Sequence, residues 1–301
     1  MKYNSQINTN FKRILVTGGA GFIGGALIRK LFSETNAKIF NLDKLSYSSD
    51  LSFLNYISEE EVKKRHKLLK VDLCDSIKLR NAIKESDPDL VFHLAAESHV
   101  DRSIDSPKKF INSNIIGTFN LLEALLEHFK LIEDCRRKHF KCIHISTDEV
   151  FGSLDNNNYF DEKTNYKPTS PYSATKAASD HLAKAWYKTY GLPIIISNCS
   201  NNYGPYQFPE KLIPLVINKA LNKKPIPIYG NGMNVRDWLY VEDHVDALIL
   251  IALKGNIGES YCIGGREEKT NKEIVETICY SLDELVPTKI SHKKLINFVE
   301  D

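Results

Sequence analysis

The sequence predicts an α/β protein: a doubly wound parallel sheet with a smaller C-terminal α/β lobe. Three observations point there. Short apolar runs alternate with longer segments of helical spacing as far as about residue 200, and a glycine-rich turn follows the first run. Beyond it, Pro205, Pro209, Pro214, Pro225 and Pro227 break the chain into short pieces. In order, the runs are RILVTG, AKIFNLD, HKLLKVD, DLVFHLA, KCIHIST and PIIISNC. Each reads as a strand buried on both faces, the pattern of a parallel sheet covered by helices. Helices are expected at about 24–35, 75–86, 107–129 and 171–190, with Pro107 and Pro171 near their starts, where a missing N–H costs nothing. A first domain is therefore expected over 1–200 and a second mainly over 201–301. Within the latter, VEDHVDALILIALKG reads as a helix over about 242–254, ended by Gly255 and returning to the first domain. The asparagine run at 156–158 reads as a loop tip.

Composition excludes several classes. Hydrophobic residues make up 42% and charged residues 26% of the chain, enough apolar material for a sizeable core, so a disordered or fibrous protein is ruled out. Lys and Arg number 40 against 38 Asp and Glu, and a net charge of +2 is too small for the basic face that nucleic-acid binding needs. The six cysteines (Cys74, Cys135, Cys142, Cys199, Cys262, Cys279) contain no CxxC pair, so neither a metal site nor a disulfide scaffold is expected, and they read as free, mostly buried thiols. The N-terminal MKYNSQINTNFKR lacks an apolar signal core. The longest apolar run, Ala247 to Leu253, is far below the ~18 residues of a membrane span. A soluble, cytoplasmic protein without a membrane partner is expected.

The segment ILVTGGAGFIG puts Gly18, Gly21 and Gly24 directly after a strand and at the opening of a helix. Glycines there allow a tight turn and close approach of backbone to a pyrophosphate, whose charge a helix N-terminus favours. This is the context of a Rossmann-type dinucleotide site, although the spacing is GxxGxxG. Asp43 ends the second run, 19 residues after Gly24, where a carboxylate accepts hydrogen bonds from an adenosine ribose and repels a 2′-phosphate; NAD is favoured over NADP. A cap on a following element is the plainer alternative for Asp43. Asp72 and Leu73 close the third run and either border the adenine or simply end a strand.

Tyr172 and Lys176 stand four apart in PYSATK, on one face of an expected helix. A free tyrosine is a poor base at neutral pH, and a nearby ammonium is expected to stabilise its phenolate and lower its pKa. A surface helix pair is the alternative, and the position after the fifth strand argues for chemistry. That strand ends in IHISTDEVFG, so Thr147, Asp148 and Glu149 reach the end of the sheet where doubly wound folds bind ligands. Two adjacent carboxylates there can divide acid and base roles if their surroundings push their pKa values apart; otherwise they form an acidic cap. His93, His99, His181 and His244 belong to no catalytic pattern and read as structural, and Trp186 and Trp238 read as packing residues.

The combination TGGAGFIG, HLAAESHVDRS, STDEVFG, PYSATKA and NCSNNYGPYQFPEKLIP resembles the extended short-chain dehydrogenase/reductases, and within them the nucleotide-diphosphate-glucose 4,6-dehydratases of the dTDP-glucose type, over about residues 12 to 301. The resemblance implies a hydro-lyase of deoxysugar (rhamnose-type) biosynthesis that uses bound NAD. Tyr172, assisted by Lys176 and Thr147, takes the 4-hydroxyl proton as C4 is oxidised. Glu149 removes the C5 proton while Asp148 protonates the departing 6-hydroxyl, and hydride returns to C6. The same resemblance sets NAD against Phe22, Ile23, Asp43, Lys44, Ser46, Asp72, Leu73, Ala95, Ala96, Ser113, Tyr172, Lys176 and Asn202. It draws substrate contacts from Ser98, Thr147, Asn201, Lys211, Leu212, Pro227, Tyr229, Arg236 and Asn271. Lys211 and Arg236 suit a diphosphate or a solvated surface equally, and PIPIYG offers Tyr229 to a flat base. The resemblance also implies a homodimer paired through the helices at about 107–129 and 171–190, and a further Arg-Pro-Gly-His-Asp-like stretch after INFVED that helps hold the diphosphate.

Nucleotide-sugar 4-epimerases and UDP-glucuronate decarboxylases share the glycine turn and the Tyr/Lys pair. Neither eliminates water from C6, and Asp148 is the residue that separates them from a dehydratase. A scaffold that merely binds NAD has no need of Tyr172, Lys176 and both carboxylates. One methyl group separates thymine from uracil, so the base is not legible in the sequence.

Overall fold

The apolar runs and the helical segments between them fold as alternating strands and helices. The computed structural model describes residues 10–154 and 159–300, and the asparagine run at 156–158 lies outside them. The first elements are β1 (Arg13–Thr17), α1 (Phe22–Glu34), β2 (Lys38–Asp43), α2 (Glu59–Arg65), β3 (His66–Lys70), α3 (Ser76–Ser86) and β4 (Leu90–His93). There follow α4 (Val100–Asp105), α5 (Pro107–Phe110), α6 (Gly117–Leu131), α7 (Asp134–Arg137), β5 (Lys141–Thr147), α8 (Pro171–Tyr190) and β6 (Ile194–Cys199). The chain continues through β7 (Asn201–Tyr203), α9 (Leu212–Leu221), β8 (Ile226–Tyr229), β9 (Val235–Tyr240), α10 (Val241–Lys254), β10 (Ser260–Ile263), β11 (Glu268–Thr270), α11 (Asn271–Leu285) and β12 (Ile296–Val299). No helix among the described residues is long and apolar enough to cross a membrane.

Two compact units result, one from residues 1–199 and 242–263, the other from 200–241 and 264–301. The first holds an all-parallel sheet in the order β10-β6-β5-β4-β1-β2-β3. The order reverses between β1 and β4, and in such sheets ligands bind at the carboxyl ends of the strands beside that reversal. Ile14, Leu15 and Val16 of β1 and Val91 and Phe92 of β4 are buried, as both-face coverage requires. The second unit holds a three-stranded sheet, β11-β9-β7, and a parallel pair, β12-β8, over a core of Val216, Ala220, Ile226, Ile228, Val275 and Cys279.

Three expectations change in detail. The helix expected over 107–129 is divided: α5 runs into a π-helical stretch, Ile111–Ile116, before α6 carries on to Leu131. The widened turn accompanies an inward Asn114, whose amide bonds the backbone of Glu97 on both sides and the Thr175 hydroxyl of α8. The third strand ends at Lys70, so Asp72 and Leu73 occupy the turn after it, where the Asp72 carboxylate accepts the Cys74 amide. Of the six free thiols only Cys142, Cys199 and Cys279 are buried, because Cys74 falls in a surface turn, Cys135 on the short exposed helix α7 and Cys262 on the short edge strand β10.

Candidate active site

The glycine turn is built for close approach. Gly18 has φ +70°, and a Cβ there would stand 2.7 Å from the Ala95 nitrogen; a Cβ on Gly24 would stand 2.2 Å from the Gly18 carbonyl oxygen. Side chains would wedge the turn away from β4 and from its own helix. Gly21 caps α1 without a side-chain hydrogen bond, and no acidic residue occupies the first turn that Phe22 and Ile23 open. The amide groups of that turn are therefore left to an anion.

Asp43, the last residue of β2, is buried, and its carboxylate accepts the Ala20 amide at 3.1 Å, the Leu45 amide at 2.8 Å and the Ser49 hydroxyl at 3.3 Å. A carboxylate offers about four lone-pair directions, so one stays available to a ribose hydroxyl while the others pin the glycine turn. Next to it Lys44 pairs with Glu97 at 2.7 Å, and Ser46 accepts the Ser49 amide. Ala95 and Ala96 follow β4, with the Ala95 amide donating to Thr17, while Ser98 is exposed a little further on. Ser113 sits in the π-helical stretch, against which the 72–74 turn packs through the Cys74 thiol and the Asn112 carbonyl. One end of the first sheet thus gathers the expected dinucleotide residues of this unit.

The catalytic candidates meet at the carboxyl end of β5. Thr147 closes the strand and caps the short 3-10 turn Asp148–Phe151, its hydroxyl accepting the Glu149 amide at 3.2 Å and donating to Asp148 at 3.2 Å. Ser170 and Ser173 form a reciprocal capping box that starts α8 at Pro171 and so aims Tyr172 at this turn. Tyr172 is buried, with the Ser103 hydroxyl on its amide and the Phe110 ring edge-on. Burial, the negative charge of Glu149 and then Cys199 push the phenol well above its ordinary value, while a hydrogen bond with Thr147 opposes them. The expected lowering by Lys176 is therefore not what the structure holds. Lys176 is itself buried and donates to the Ile145 carbonyl at 2.8 Å; burial draws its pKa down, and Asp180 works against that.

The remaining expected residues belong to the second unit. Asn201 and Asn202 lie on β7, Lys211 precedes α9 and Leu212 opens it, Pro227 and an exposed Tyr229 lie on β8, Arg236 is exposed on β9, and Asn271 begins α11. Three of the histidines that the sequence offers meet hydroxyls, rings or apolar surroundings. His93 lies between the Thr17 and Thr118 hydroxyls and is held neutral by burial, His181 rests against Tyr166, and burial pushes His244 down to about 3. Trp186 packs against Phe119 and Tyr190.

Sequence comparison decides the family. The family model described as GDP-mannose 4,6 dehydratase matches residues 15–300. A dTDP-glucose 4,6-dehydratase of Neisseria gonorrhoeae is 52% identical over 295 residues, covering 96% of this chain and 84% of that protein. The chain belongs to the dTDP-glucose 4,6-dehydratase family. Solved structures of the family have the same fold. The Bacillus anthracis dTDP-glucose 4,6-dehydratase, crystallised in complex with NAD, has TM-score 0.81 and 43% identity, covering 96% of this chain and 84% of that one. That of Streptomyces venezuelae, with NAD and TYD bound, has TM-score 0.84 and 37% identity over the same shares. The cradle described above, with no room for a Cβ at Gly18 or Gly24 and a free acceptor on Asp43, fits the cofactor that these 4,6-dehydratases carry.

Asp180 was missed among the candidate residues. It accepts hydrogen bonds from His144, Ser146, Tyr166 and Asn198, all inside the first unit. Two signals were present: Asp180 continues the four-residue spacing of Tyr172 and Lys176, and His144 and Ser146 share one face of β5.

Proposed function

We propose that this chain catalyses the NAD-dependent dehydration of dTDP-glucose to its 4-keto-6-deoxy sugar. The observation that carries the reading is the meeting of Thr147, Asp148 and Glu149 at the end of β5 with the buried Tyr172 of α8. Bound NAD supplies a hydride acceptor for C4 and a hydride donor for C6. Gly18, Gly21 and Gly24 with Phe22 and Ile23 accommodate its pyrophosphate, Asp43 its ribose, and Lys44, Ser46, Asp72, Leu73, Ala95, Ala96, Ser113 and Asn202 the rest. Tyr172 takes the 4-hydroxyl proton, with the Thr147 hydroxyl already a partner of its phenol. Oxidation at C4 acidifies the C5 proton, Glu149 removes it, and Asp148 gives a proton to the leaving 6-hydroxyl. Asp148 and Glu149 are adjacent, yet the Thr147 hydroxyl meets Asp148 at its carboxylate and Glu149 at its backbone amide, which gives the two carboxyls different surroundings.

The first unit serves NAD in this reading, and the second the nucleotide, through Asn201, Lys211, Leu212, Pro227, Tyr229, Arg236 and Asn271, with Ser98 and Thr147 contacting the sugar. The relatives' names, which give dTDP-glucose as the substrate, support dTDP over UDP. The apolar residues that α6 and the π-helical stretch leave exposed, Ile111, Ile116 and Phe119, support a homodimer formed through that face. Incubating the protein with NAD and either dTDP-glucose or UDP-glucose, then weighing the nucleotide sugar by mass spectrometry, tests the function. Loss of one water, faster from dTDP-glucose, is expected; an unchanged mass for both, with NAD bound, sinks it.

A further inference from the structure

Asp180 is wholly buried, and the reaction as derived gives it no task. Its Oδ2 accepts from the Ser146 hydroxyl at 2.7 Å, the Tyr166 hydroxyl at 2.9 Å and the Asn198 amide at 3.4 Å, and its Oδ1 stands 3.0 Å from His144 Nε2. These donors come from β5, β6 and the segment leading into α8, so the carboxylate is fixed from three sides. Such a set is built for an ionised carboxylate. None of the donors cancels its charge. His144 is kept neutral by burial, its Nδ1 has no hydrogen-bond partner among the described residues, and Nε2–H is the tautomer that donates.

The cation within its electrostatic reach is Lys176, one turn back on α8, with Tyr172 one turn further still. Lys176 has its own need of a partner. It is buried, its ammonium donates to the Ile145 carbonyl, and burial alone would strip its proton. The other titratable groups that bear on Lys176 are Cys199 of β6, His144 of β5 and, behind it, His93 of β4, its ring tilted against His144 with centroids 5.2 Å apart.

We propose that Asp180 is a positioning residue that keeps Lys176 an ammonium and so holds a positive charge one helical turn from Tyr172. The inference rests on the dehydratase reading only in giving the ammonium its purpose, which is to favour the phenolate when Tyr172 acts as base. Asp180 touches neither substrate nor cofactor and acts through Lys176.

Asp180→Asn keeps the size of the side chain and removes its charge. In the holoenzyme, the alkaline limb of the kcat profile should move to lower pH by about one unit, since an ammonium without its counter-charge loses its proton sooner. The KM for dTDP-glucose should stay as it is. Tyr166→Phe takes one donor from Asp180 and leaves both charges, so its limb should not move. A limb unmoved in Asp180→Asn overturns the proposal. A second measurement needs neither a variant at Asp180 nor turnover: nuclear magnetic resonance titration of the Lys176 side chain in the unaltered protein, assigned against Lys176→Met. An ammonium that persists at neutral pH, and gives up its proton below the ordinary lysine range, is expected. A neutral amine at neutral pH overturns the proposal, whereas a protein that releases no water yet holds a charged Lys176 overturns the dehydratase reading alone.

Discussion

At the residue scale, adjacent carboxyls differ in what surrounds them. Asp148 shares a hydrogen bond with the Thr147 hydroxyl, while Glu149 is the carboxylate whose charge weighs most on the Tyr172 phenol. Replacing Asp148 by Asn should slow water release by roughly 10²–10⁴-fold, the range of a lost general acid, and leave NAD affinity unchanged. Single-turnover absorbance of the reduced cofactor, followed alongside product mass, checks this. Tyr172 carries a second prediction. Burial and Glu149 raise its pKa, so the ligand-free protein should hold a neutral phenol there well beyond the ordinary value of 10.0. An ultraviolet difference titration of the unaltered protein against Tyr172→Phe reads it, and a phenolate formed near neutrality would contradict it. The Tyr172/Lys176 pair was legible because helix periodicity alone puts residues four apart on one face. The direction of the tyrosine's pKa was not, because Glu149 and the depth of burial come from elements far apart in sequence.

At the element scale, the glycines that begin α1 differ in what they exclude. A Cβ on Gly24 meets the Gly18 carbonyl at 2.2 Å, backbone against backbone, whereas one on Gly21 comes no nearer than 3.2 Å to the same oxygen. Gly24→Ala is expected to cost about 1–3 kcal/mol of stability and to lower Tm. Gly21→Ala should melt with the unaltered protein and lose only NAD affinity, measured by quenching of intrinsic fluorescence. Helix α10 gives a pH dependence. His244, wholly buried there, has a folded pKa of about 3 against an ordinary 6.5, so the unfolded chain takes up the proton first. Stability present above pH 6.5 is therefore lost as the pH falls towards 3, about 2 kcal/mol of it by pH 5. Urea unfolding of His244→Gln should show a flatter acid limb than that of the unaltered chain. Strand order through β6, and the helices α1, α3, α6 and α8, followed from apolar runs and proline positions, whereas the short helices α2, α4 and α7 did not. The π-helical stretch did not, because its cause is the inward Asn114, reaching Glu97 and Thr175 across the fold.

At the scale of the whole molecule, the exposed Ile111, Ile116 and Phe119 make association the matter to test. Sedimentation should find a dimer, and Ile116→Glu should shift it to monomer with its Tm little changed; a monomeric unaltered protein removes the dimer. The parallel sheet of the first unit was legible as far as PIIISNC, but its seventh strand was not, since SYCI is short and partly exposed and carries no periodic pattern. That strand, β10, pairs along β6 in parallel register from Ser260↔Ile196 to Ile263↔Cys199. On the ribosome, β6 emerges with its outer row of amides and carbonyls bare, and its cover is not made until β7, α9, β8, β9 and α10 have all been synthesised. A nascent chain stalled anywhere in that interval offers an open edge to its neighbours on the polysome. Premature stop codons between Ser200 and Glu259 should therefore yield aggregates rather than soluble fragments.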